Sequence, residues 1–100
     1  MTVSTQIAQL LGLIYGYEQL GLMGRSFVRA VDEIVASAEG LTLPEECQKD
    51  FDQLHVKLAL CVWDEQTYRE APTAYICESE MRAAVREFVS KWGNTLASMI

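Results

Sequence analysis

Residues 42–63 read TLPEECQKDFDQLHVKLALCVW, and whether this stretch is helix or strand decides the fold. Alternation with period two is never sustained in it. Instead Cys47, Phe51, Leu54, Leu58 and Cys61 recur at spacings of four and three, which is the stripe of one helix face. The start carries a capping box: Thr42 as cap, Pro44 in the first turn, and Glu45 three residues on. Glu45 and Glu46 also suit the positive end of the helix dipole. Between Leu54 and Trp63 nearly every direction around the axis is apolar, except a strip with Gln53, Lys57 and Asp64. A helix apolar on most sides predicts a central position in a bundle. Ala71-Pro72 is expected to end it, because proline disfavours helical geometry in the residue before it.

On the amino-terminal side, Ile7, Leu10, Leu11, Ile14 and Glu18 form a stripe, with Ser4 or Thr5 as the expected cap. Leu20-Gly21-Leu22 reads as a helix end, with glycine just past the last turn. A second helical pattern runs through Phe27, Val31, Ile34, Val35 and Ala38 and stops at Gly40. The alternative is one long helix bent between Gly21 and Gly24. On the carboxy-terminal side, a last helix starting near Thr73 or Ser79 carries Met81, Val85, Phe88, Val89, Trp92, Leu96 and Met99. Gly93-Asn94 is a candidate early stop for it. The expected fold is all-α: a single domain over residues 1–100, a small bundle of four helices, or three if the first two are continuous.

Half of the 100 residues are apolar, which is generous for one modest core and points to a covered surface. Ala8, Gly12 and Gly16 make a row of small residues along the first helix, suited to close approach of a neighbouring helix or a second subunit. A membrane span is not expected, because Gln9, Glu18 and Gln19 interrupt the best apolar window, Ile7 to Met23. The start MTVSTQ lacks the pattern of a secretory signal, so a cytoplasmic location is expected. Cys47, Cys61 and Cys77 are odd in number and form no C-x-x-C pair. On one helix Cys47 and Cys61 would stand roughly 21 Å apart, so buried, reduced thiols are expected.

Chemistry has little to work with. The glycines at 12, 16, 21 and 24 fail the phosphate-loop pattern on spacing, and Arg25 stands where its lysine belongs. The single histidine, His55, sits among Leu54, Val56 and Leu58, and reads as a partly buried, hydrogen-bonded group rather than a metal ligand or a base for Cys61 or Cys77. No catalytic residue, cofactor or metal site is therefore expected, and the reading is non-enzymatic.

Charge is more informative. Residues 30–80 hold twelve acids against Lys49, Lys57 and Arg69, within a chain of net charge −6. That layout opposes direct nucleic-acid binding, which needs basic phosphate contacts. It favours a basic protein partner instead, with Glu45, Glu46, Asp50, Asp52, Asp64 and Glu65 as the expected contact surface. In size, acidity and lack of enzymatic motifs the chain resembles the small acidic inhibitors of phages and mobile elements, such as anti-CRISPR proteins. Bacterial immunity proteins and anti-activators share this profile. The resemblance implies an inhibitor that covers a larger macromolecule and assigns no residue. The alternative is a structural or assembly subunit, possible as a homodimer, acting through Ala8, Gly12 and Gly16.

Overall fold

The computed structural model describes residues 3–37, 41–71 and 73–100, and the side chains from Thr5 onward within them. Ala38 and Gly40 at the end of the second helix, and Pro72 as a stop, lie outside the described residues. The described chain is all-α, as its periodicity predicts: α1 Val3–Gln19, α2 Gly24–Val35, α3 Glu45–Leu60, α4 Glu65–Glu70 and α5 Glu78–Ala97. Ser4 and Thr5 are both inside α1 rather than capping it.

The first two helices are separate. Gly21 adopts φ 77°, a left-handed conformation that glycine takes without a Cβ penalty. The N–H groups of Leu20 and Leu22 both donate to the Gly16 carbonyl, which closes the end of α1. The buried stripe of α1 is Ile7, Leu10, Ile14 and Tyr17. Tyr17 thus takes the place expected for Glu18, and its ring stacks on Phe27 of α2 at 4.7 Å.

The expected central role of α3 is not observed. Packing runs α2 on α1, α1 on α5, and α5 on α3, so α1 and α5 are the inner pair. Helix α3 buries Cys47, Phe51, Leu54 and Leu58 and leaves Val56, Ala59 and Leu60 exposed. Its beginning differs as well: Pro44 occupies the cap position with no side-chain hydrogen bond, and Thr42 is exposed. Burial of Leu43 sets the chain direction here, and the Leu43 N–H donates to Gln48 Oε1 at 3.1 Å.

The far end of α3 is the largest correction. The helix stops at Leu60 instead of running to Ala71, because Cys61 pairs with Ile76 in a short parallel bridge. Ile76 N–H donates to the Leu60 carbonyl and Val62 N–H to the Ile76 carbonyl. Asp64 then caps the added helix α4, accepting from the N–H groups of Gln66 and Thr67. Helix α5 begins at Glu78, five residues after Thr73 and one before Ser79, with Cys77 at its cap position. It runs through Gly93-Asn94 to Ala97, which places Leu96 fully inside the core. Met99 lies past the helix end and is exposed.

Candidate functional site

Helix α3 turns its core stripe toward α5 and the opposite side of its first two turns outward. Glu45, Glu46, Lys49 and Asp52 are exposed there, three acids against one base. Among the described residues no ion pair holds Glu45, Glu46 or Asp52. Asp52 accepts a hydrogen bond from Gln48 Nε2 at 3.0 Å, one turn back on the same helix. Farther along this outward side Val56 is 58 % exposed and Leu60 39 % exposed, with Tyr75 following in the strand-like segment that pairs beside Leu60. The helix thus offers acids at its start and apolar side chains at its end.

The remaining acids of the expected surface are engaged within the chain. Asp50 faces α5, where its Oδ2 accepts from Trp92 Nε1 at 2.7 Å and pairs with Lys91 Nζ at 2.9 Å. Those two partners, Lys91 first, hold its carboxyl below the usual aspartate range. Asp64 uses both oxygens to cap α4, and Glu65 pairs with Arg69 one turn on. The sequence does not separate Asp50 from Asp52: only Trp92 and Lys91, forty residues away, distinguish them.

The Asp50 contact gives a pH prediction. A carboxyl whose folded pKa is depressed contributes stability that is fully present above its unfolded value, near 3.9, and is lost as pH falls through the folded value. Acid titration of the melting temperature should therefore fall less steeply below about pH 4 in Asp50→Asn than in the parent chain. An unchanged acid slope would show that Asp50 carries none of the linkage.

His55 donates or accepts across α2 and α3, with its Nε2 2.7 Å from Asp32 Oδ1 and its ring stacked beside Phe51. Its side chain is half-buried, as expected for a structural histidine. Among the described residues no three His, Cys, Asp or Glu side chains converge to hold a metal. All three cysteines are free. Burial pushes the thiols of Cys47 and Cys61 up to about 11, which leaves them poorly reactive because the thiolate is the nucleophile. Cys77 is half-exposed at the start of α5, beside Ser79 Oγ and Glu80 Oε1. Brief alkylation of the folded chain should add one adduct, at Cys77, and all three only in denaturant. Equal labelling of Cys47 in the folded chain would contradict the buried assignment.

A second polar cluster escapes sequence inspection. Tyr17 Oη donates to Glu78 Oε2 at 2.9 Å, Arg82 lies 4.4 Å from the Tyr17 ring centre, and burial with the Glu78 carboxylate raises the phenol pKa. The same Glu78 oxygen and the Trp63 ring fill the space that a Cβ on Gly24 would need, at the first turn of α2. This cluster ties α1, α2 and α5 to the α3–α4 connection. Its signal in the sequence is one glycine that looks like turn punctuation.

The small-residue row is placed on the outer side of α1. Ala8 and Gly16 are half-exposed and Gly12 is exposed, with nothing among the described residues within 4 Å of where a Gly12 Cβ would stand. A Cβ at Gly16 would meet, among the described residues, only the Leu22 side chain, at an ordinary 3.8 Å. Among the described residues no helix is long and apolar enough to cross a membrane. No protein-family model matches the chain, and neither the curated proteins nor the solved structures contain a match.

Proposed function

We propose that this chain is a small acidic binding protein that docks on a basic face of a larger protein and blocks it. The observation that carries this reading is the outward side of α3, where Glu45, Glu46 and Asp52 remain exposed and outside any ion pair among the described residues. Such a surface attracts a basic patch over several ångströms and steers its approach. Val56 and Leu60 on the same helix supply apolar area of the kind that anchors an interface once charge has brought the surfaces together. Asp50, Asp64 and Glu65 are engaged in ion pairs or a helix cap, so the proposed contact narrows to Glu45, Glu46 and Asp52 with the two apolar residues.

A face that holds nucleic-acid phosphates is one basic surface that fits this chemistry. Covering it is how an inhibitor of the anti-CRISPR, immunity or anti-activator type would act on a macromolecule larger than itself. The reading requires no chemistry of the chain's own.

The test is retention of host proteins on the tagged chain at low and high salt, run beside the triple variant Glu45→Lys, Glu46→Lys, Asp52→Lys. A basic protein held by the parent chain in low salt, released by high salt and not held by the variant is the expected result. Equal retention by both chains would overturn the reading.

A further inference from the structure

We propose that the cleft between the end of α1, the first turn of α2 and the first turns of α5 binds a free α-amino acid with an apolar side chain. The cleft has a volume of about 490 Å³, within the range of small-molecule sites. Glu18 comes from α1, Arg25 from α2, and Glu78 and Arg82 from α5, with the Trp63 ring entering from the α3–α4 connection. Two arginines that no sequence spacing relates thus face one space.

Three of these groups lack the partners their chemistry calls for. Among the described residues Arg25 has no hydrogen bond or ion pair, and Arg82 meets only the face of the Tyr17 ring, at 4.4 Å. Acids outnumber bases 14 to 8 in this chain, yet neither guanidinium pairs with one. Glu18 is short of a donor. Its side chain is only 14 % exposed, its Oε1 is buried without a hydrogen bond, and Arg86 Nε stands 3.7 Å away, too far to donate one. A largely buried carboxylate in that condition is unfavourable until a donor reaches it. Glu78 differs, because its Oε2 already accepts from the Tyr17 hydroxyl.

These unmet groups select the ligand. Two carboxylates and two guanidiniums line the cleft, so their charges cancel and a simple anion or cation meets repulsion as well as attraction. A zwitterion meets attraction at both ends. Its carboxylate suits the planar forks of Arg25 and Arg82, which bind such groups through paired hydrogen bonds. Its ammonium supplies the donor that the Glu18 carboxylate lacks. The rest of the lining is apolar: Trp63 and Leu22 are half-buried and Met23 is 70 % exposed. That surface fits an aliphatic or aromatic side chain and offers nothing to a second charge.

Calorimetric titration with leucine, methionine, phenylalanine and tryptophan tests the proposal, beside phenethylamine, 3-phenylpropanoate and inorganic phosphate. At least one amino acid should bind with a dissociation constant below about 1 mM. The amine without a carboxylate, the acid without an amine, and phosphate should each bind at least about tenfold more weakly. Arg25→Gln should weaken the amino acid by at least about tenfold as well. Arg25 is exposed and unpaired, so its replacement should leave the melting temperature of the free chain unchanged. The α3 triple variant should keep the affinity, because none of its positions lines the cleft. Absence of amino-acid binding up to about 10 mM, equal binding of either half-ligand or of phosphate, or undiminished binding by Arg25→Gln would overturn the proposal.

Discussion

Replacing Gly24 by alanine should lower the melting temperature by about 10 °C, on a loss of about 2 kcal/mol. A Cβ at position 24 would stand 2.6 Å and 2.8 Å from two carbons of the Trp63 ring, and closer still to Glu78 Oε2. Neither neighbour moves freely. Glu78 holds the hydroxyl of the buried Tyr17, and Trp63 packs against the core beside the α3–α4 connection. Relief therefore breaks the Tyr17–Glu78 hydrogen bond, worth about 1 kcal/mol net and more if a partner is left unsatisfied, or displaces the indole. The same change at Gly12 should have the opposite sign. There the new methyl meets open space, and alanine gains about 1 kcal/mol of helix propensity. Thermal unfolding of the two variants checks both directions at once. Equal melting temperatures for Gly24→Ala and the parent would show that the close approach at α2 carries no weight.

This contrast bears on how much of the fold is legible in the sequence. The stripes at spacings of three and four locate the four long helices because each depends on its own residues. Gly21 marks the break between α1 and α2 for the same reason: the conformation that ends the helix belongs to the glycine itself. The failures lie where a distant segment decides. Apolar periodicity continues past Leu60, yet the helix stops because Leu60 and Val62 bond to Ile76. Thr42 has the right type for a cap, but burial of Leu43 turns the chain so that the helix opens at Pro44 instead. Gly93-Asn94 has the composition of a stop, and α5 passes through it because Leu96 has a place in the core. Long-range packing overrides local propensity in each case.

The candidate surface was legible to the same degree. Acidic residues concentrate between positions 30 and 80 whatever the fold, so the sequence shows the charge. Which acids are free depends on partners in other elements. Trp92 and Lys91 turn Asp50 inward, while Asp52, two residues on, points to solvent. His55 engages Asp32 of α2 across twenty-three positions. Spacing along one helix contains no trace of these pairings. The outer positions of α1 are different: Gln9, Gly12, Tyr15 and Gln19 can be read in order, but their shared exposure needs the fold.

Affinity for the retained basic protein, measured across a salt series for the parent chain and for Glu45→Lys, Glu46→Lys, Asp52→Lys, tests the central claim most directly. Three exposed charges changed from attraction to repulsion should weaken binding by roughly 10- to 100-fold in low salt. The salt dependence should flatten with them, because screening acts on the charges that were removed. Matching affinities and matching salt slopes for the two chains would contradict an acidic docking surface on α3.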